Sequence, residues 1–189
     1  MVERCNAAGV NVYVDLVINH MTGHSREGEG NAGSVYNGTF QDYPGVPYVA
    51  EHFNQPFCLI ESFNDPEQLR KCAYLELNDL NGEHEHVQEM IAQLANKLLD
   101  FGVKGFFIDG AMFMWPEALH TIQAKWKNEP FVYLDVGSVD SIAMRSEYYG
   151  LGRVTLYDYG AFFKCVSVEG INCLQNIFEL DVRHYSLLL

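Results

Sequence analysis

Basic residues are scarce in this chain: 12 Lys and Arg stand against 25 Asp and Glu, a formal net charge of -13 over 189 residues. A nucleic-acid surface must neutralise phosphates with cations, so that class is set aside. Long apolar runs are missing too. None approaches the ~20 residues that a bilayer-spanning helix needs, which argues against a membrane protein. The start, Met1-Val2-Glu3-Arg4-Cys5, lacks the apolar core of a signal peptide and reads as though cut out of something longer. The five cysteines, Cys5, Cys58, Cys72, Cys165 and Cys173, contain no Cys-x-x-Cys, against a zinc ribbon or a thioredoxin-type site.

What is present is globular: 48% hydrophobic and 20% charged residues, with a 13% aromatic share that suits a core or a sugar-binding cleft. One stretch organises the rest. Val103, Phe106, Phe107 and Ile108 form an apolar run too short for a helix and bounded by glycines, so a buried strand is predicted. It ends in Asp109, on the carboxyl-terminal rim where an α/β barrel keeps its chemistry. By residue type alone, an Asp capping the next helix suits the position better.

Around it the pattern alternates strand and helix, as in βα repeats. Val10 to His20 reads as a nearly continuous apolar strand, covered on both faces, that ends in Asn19 and His20. By residue type those two are a turn signal. From Met21 to about Leu80 periodicity disappears and Gly, Ser, Asn and Pro accumulate, which predicts an irregular β subdomain inserted between regular elements. Asp79 lies there, in Asn78-Asp79-Leu80-Asn81, as a turn residue beside two asparagines. His84 and His86, two apart, suit a solvated helix start, with Glu near the positive dipole end, better than a metal site.

Met90, Ile91, Leu94, Ala95 and Leu98 recur at three and four within 87–99, the stripe of an amphipathic helix that stops at Gly102. A second helix follows Pro116, with Ala118, Leu119, Ile122 and Trp126 inward. Phe131 to Val136 is another buried strand with an acid, Asp135, near its end. A short helix at about 141–147 and a strand at 152–157 come next, and Phe162 to Val166 opens a further helix. Asn37-Gly38-Thr39 is a glycosylation sequon.

Several segments together resemble one family, the animal-type α-amylases. Gly105-Phe106-Phe107-Ile108-Asp109-Gly110-Ala111-Met112-Phe113-Met114-Trp115-Pro116 is similar to the family's Gly-Phe-Arg-Ile-Asp-Ala-x-Lys-His-Met-Trp-Pro. Val14-Asp15-Leu16-Val17-Ile18-Asn19-His20 resembles Val-Asp-x-Val-Ile-Asn-His. Val46-Pro47-Tyr48 with His52-Phe53-Asn54 resembles Val-Pro-Tyr…Asp-Phe-Asn, and Gly150 to Thr155 is close to Gly-x-Gly-Arg-Val-Thr. The resemblance fades beyond Gly160.

The resemblance implies an α/β fold: a partial (β/α)8 barrel, about strands 3 to 6, formed by residues 1–20 and 81–189, with an inserted irregular B domain at 21–80. At 189 residues the chain is shorter than the ~250 of a complete barrel, so further polypeptide segments would complete it. It implies retaining hydrolysis of α-1,4-glucosidic bonds in starch or glycogen, in a secreted protein. Asp109 maps to the nucleophile and Asp135 to the acid/base, a Glu in the family. His20, Phe63 and Trp115 map to substrate contacts. Calcium is implied through Asn19, Arg70, Asp79 and Phe113, with main-chain oxygens from Arg70 and Phe113, and Cys58 pairs with Cys72.

Four departures bear on activity. Asp135 is one methylene shorter than Glu, Met112 and Phe113 replace a substrate-contacting Lys-His pair, and Phe63 replaces a Tyr. Phe107 replaces the Arg that binds chloride, so chloride is not expected. They motivate a rival, a non-catalytic glycan-binding or interaction protein derived from an amylase, and the coverage leaves room for an incomplete gene product.

Overall fold

The computed structural model describes residues 1–137 and 142–154. Cys165, Cys173, the end of the expected 152–157 strand and the expected 162–166 helix lie outside the described residues. A short helix α1 (Val2–Ala7) leads into β1 (Tyr13–Val17). Between β1 and the next parallel strand lie β2 (His20–Gly23), β3 (Glu27–Glu29), β4 (Val35–Asn37), α2 (Pro66–Lys71), β5 (Leu77–Asp79) and the long helix α3 (Glu85–Asp100). Then come β6 (Gly105–Asp109), α4 (Pro116–Ala124), β7 (Phe131–Leu134), α5 (Ile142–Ser146) and β8 (Arg153–Val154).

Four strands build one parallel sheet in the order β1-β6-β7-β8. Register is direct: Leu16 opposes Ile108, and Ile108 opposes Leu134. Because side chains alternate along a strand, Leu16, Phe106, Ile108 and Leu134 all point to one face. There they form a common core with Val87, Ile91 and Ala95 of α3 and Leu119 and Ile122 of α4. Pro116 at the first turn of α4 sets the helix going, as its fixed φ and missing N–H allow there. Gly102, at φ +92°, turns the chain from α3 back toward β6, in the left-handed conformation expected of a helix stop.

The other face is different. Tyr13 and Val17 of β1 are 52% and 48% exposed and Phe131 is 48% exposed, which corrects the expectation of a strand covered on both faces. Their rings answer one another across the sheet, Tyr13 with Phe131 at 5.3 Å and Phe107 with Tyr133 at 5.5 Å. The first strand is also shorter than its apolar run. Val10 is exposed, and at His20 the chain enters a separate antiparallel pair, β2 with β5.

The stretch 21–80 contains that pair, the β3-β4 hairpin and the helix α2. The helix went unpredicted although Asp65-Pro66 announces it: Asp65 caps it by accepting from the Glu67 and Gln68 amides, with Pro66 at the first turn. The Cys58–Cys72 disulfide ties this helix to the preceding loop, at a Cα–Cα distance of 4.8 Å. Leu94 is a further correction. It is 45% exposed, and the buried stripe of α3 runs instead through Val87, Gln88, Ile91, Ala92 and Ala95.

Candidate active site

The acid at the end of β6 and the acid just past β7 lie on neighbouring parallel strands. Val17 of β1 opposes Asp109, and the Asp135 amide donates to the Ile108 carbonyl (3.0 Å), which continues the β6-β7 ladder to the strand ends. Immediately after Asp109, Gly110 adopts φ +62°, a left-handed turn that favours glycine, and starts the one-turn helix Ala111–Phe113. This turn folds back on Asp135. The Met112 amide donates to the Asp135 carbonyl at 3.1 Å, and the Asp135 side chain accepts from the Gly110 and Gly137 amides at 3.4 Å each. The Asp135 carboxylate is thereby held between the turn that follows Asp109 and its own following segment.

His20 enters the same region from β2. Burial lowers its pKa, the nearby Asp109 carboxylate raises it, and burial wins. Its Nδ1 is buried without a hydrogen-bond partner.

Asn19 and Asp79 meet directly. The Asn19 Nδ2 donates to Asp79 Oδ1 at 2.9 Å, the Asn54 Nδ2 donates to Oδ2 at 2.6 Å, and the Leu80 amide donates to the Asn19 carbonyl. Asp79 is buried, and burial pushes its carboxyl up to about 8, only partly offset by the Asn54 and Asn19 bonds. A buried carboxylate whose hydrogen-bond partners are neutral amides lacks a counter-charge. A hard cation with oxygen ligands would supply one, so the donor set fits calcium. Among the described residues no group of three or more His, Cys, Asp or Glu side chains is placed to hold a metal. One carboxylate, amides and carbonyls form a different kind of shell.

Arg70 and Phe113 lie in two segments that pack together, α2 and the Ala111–Phe113 turn. The Arg70 side chain is 4% exposed. Its guanidinium donates to Glu147 at 2.6 Å and lies over the rings of Trp115 (4.9 Å) and Tyr148 (5.6 Å). Tyr148 lies within hydrogen-bond distance of the Met112 and Met114 carbonyls at 3.3 and 2.8 Å, on either side of Phe113. Phe113 in turn stacks on Tyr74 at 4.8 Å, and Phe63 packs edgewise on both. The structure thus gathers Asp109, Asp135 and His20 at the strand ends and Asn19 with Asp79. It puts Trp115 under Arg70, and Phe63 with Phe113 in a separate aromatic group. Glu147, Tyr148 and Asn54 escaped sequence reasoning. Only Asn54, inside a matched segment, carried a signal.

A parallel sheet backed by helices on one face, with acids at its carboxyl-terminal rim, is the arrangement found in a segment of an α/β barrel. Residues 1–134 match the alpha amylase catalytic domain, and the chain belongs to that family. Pancreatic alpha-amylase of Sus scrofa is 43% identical over 179 residues, covering 85% of this chain and 35% of that protein. Alpha-amylase 2B of Homo sapiens is 39% identical with the same coverage. The crystal structure of alpha-amylase I from Eisenia fetida superposes with a TM-score of 0.81 at 34% identity, over 87% of this chain and 36% of that one. The same neighbour has been solved as a mutant complex with maltohexaose. The chain spans about a third of the length of these relatives. The family and its structures place it in the (β/α)8 barrel fold, of which the described residues supply a four-stranded parallel sheet.

Proposed function

We propose that this chain carries the nucleophile and acid positions of a retaining α-glucan hydrolase, with starch- or glycogen-type α-1,4-glucosidic bonds as substrate. The observation that supports it is the placement of Asp109 and Asp135 at the ends of adjacent, in-register parallel strands. Neighbouring strands lie about 4.8 Å apart, close to the ~5–5.5 Å between carboxyls that retaining chemistry uses. In the reaction the Asp109 carboxylate bonds to the anomeric carbon as the bond to the glycosidic oxygen breaks, and Asp135 delivers the proton that oxygen takes up. Asp135 then accepts a proton from water, whose oxygen displaces Asp109. His20, Phe63 and Trp115 offer sugar contacts.

In this reading residues 1–20 and 81–189 belong to about the third to sixth barrel strands, 21–80 form the inserted B domain, and other polypeptide segments complete the barrel. The working site is extracellular, as the disulfide suits. Asn19 and Asp79, with the Arg70 and Phe113 carbonyls, would hold calcium, which would supply a positive charge between the inserted segment and the strand ends. A second reading, a glycan binder without turnover, rests on the short acid Asp135, whose carboxylate is engaged by the Gly110 amide, and on Phe107, whose ring packs on Tyr133 where the resembling segment has Arg.

The test uses the full chain in a starch-containing native gel together with a reducing-sugar assay. Retardation plus sugar release that disappears in Asp109→Asn supports the hydrolase. Retardation without release moves the conclusion to the binder, and neither effect overturns both. Asp135→Glu should raise turnover, by up to about 100-fold if reach is what limits it.

A further inference from the structure

Three histidines converge where the inserted segment meets the barrel helix α3. His52 closes a one-turn helix, Ala50–His52, and its ring lies 4.8 Å from His84 and 4.5 Å from His86. Tyr48 packs edgewise on both His52 and His86, at 5.9 and 6.1 Å. The backbone is joined at the same place, the Asn81 amide donating to the His52 carbonyl at 2.9 Å. His52 replaces the Asp of the resembling Asp-Phe-Asn run, so the cluster is a feature of this chain.

The hydrogen bonds assign the protons. His52 Nδ1 accepts from the Val49 amide (3.0 Å), and His84 Nδ1 accepts from the His86 amide (3.2 Å), which makes His84 the cap of α3. A nitrogen that accepts from an N–H carries no proton, so both rings are neutral with the hydrogen on Nε2. His86 donates through Nε2 to the Pro47 carbonyl at 3.1 Å, leaving Nδ1 open to a proton. Charging His52 breaks the bond from the Val49 amide and sets an imidazolium against the stacked His86 ring and edge-on to His84, at the positive end of a 16-residue helix.

We propose that the Tyr48–His52 turn is an acid-released latch, seated on the start of α3 while His52 is neutral and released when His52 takes up a proton. The groups around it are Glu51, 3.8 Å from His52 Nε2, the phenol of Tyr48, and Glu83 and Glu85 at the start of α3, with Lys71 drawn to Glu83. Glu51 is largely exposed, so it offsets the repulsion only weakly. Burial, then His86 and His84, lower the pKa of His52 from its ordinary 6.5, against a smaller opposing pull from Glu51. A base whose pKa falls on folding contributes stability that is fully present above 6.5 and lost as the pH drops below it. The latch therefore opens in mildly acidic conditions and closes near neutrality.

The experiment is histidine-labelled NMR on the full chain from pH 8 to 5, with amide exchange protection at Val49 and His86 referred to Leu119 and Ile122 in α4. The expected result is Nε2–H tautomers for His52 and His84 at pH 7.5. Between pH 7.5 and 5.5 protection at Val49 and His86 should fall about tenfold relative to α4, the fold-change that losing one helix cap brings. In the non-titrating variant His52→Asn/His84→Ser/His86→Tyr that drop should vanish. An equal drop in the variant overturns the latch. So does wild-type protection that persists while the rings titrate, or an Nδ1–H tautomer at neutral pH, and these two readouts need no variant.

Discussion

Replacing Glu147 by Gln removes one charge from an ion pair whose basic member, Arg70, is 4% exposed. Arg70 has three supports: the 2.6 Å bond to Glu147, the Trp115 ring at 4.9 Å and the Tyr148 ring at 5.6 Å. Its Nε is buried without a partner. Breaking a buried pair typically costs about 3–5 kcal/mol, because an uncompensated charge is left inside. Here Glu147 is 42% exposed, Gln still accepts a hydrogen bond, and the two rings retain about 0.5–2 kcal/mol of cation–π attraction. The expected loss is therefore about 2 kcal/mol in urea unfolding at pH 7, with an unchanged slope. The double variant Arg70→Met/Glu147→Gln removes the stranded cation and should recover at least half of that loss. A cost below about 0.5 kcal/mol for the single variant, or strictly additive single effects, would refute the caged-arginine account.

Chelator should lower the melting temperature and millimolar calcium restore it, with the response absent in Asp79→Ala; an unresponsive wild type counts against the Asn19/Asp79 shell. Removing both Cys58 and Cys72 should cost about 3 kcal/mol in unfolding free energy, from the short loop that the bridge closes. Helix α3 gives a contrast. Ile91→Ala, at a 3% exposed position, should cost about 2–4 kcal/mol. Leu94→Lys should stay within about 0.5 kcal/mol by the same urea assay, and a large loss there would restore the stripe that the sequence pattern suggests.

Regular elements were legible because their signals are local. Pro116 and Gly102 mark where helices begin and end, and the run Val103 to Ile108 can be buried only as a strand once glycines bound it. The α3 stripe was misread at one position because hydrophobicity says what a residue prefers and not what neighbours it finds. Leu94 faces out while Gln88 turns in, its amide donating to the Gly82 carbonyl at 2.9 Å. The same limit applies to β1. Its run of apolar residues is continuous, but only alternate positions meet the helix layer, so Leu16 is buried and Val17 is not.

The site divides along a similar line. Asp109, Asn19 and His20 were readable at strand ends, since a strand end fixes a position whatever surrounds it. What surrounds it comes from contacts across long stretches of chain, and these leave no local trace. Arg70 and Glu147 are 77 residues apart, and Asn19 and Asp79 are 60 apart. The fate of Asp135 is the sharpest case. Its place beside Asp109 follows from the order of strands, but the hydrogen bond that holds its carboxylate comes from Gly110, whose left-handed turn aims an amide at it. The residue that sets the turn after Asp109 thus also binds Asp135. A longer side chain at 135 and a freer amide at 110 are consequently not independent changes, and their effects on turnover should couple rather than add.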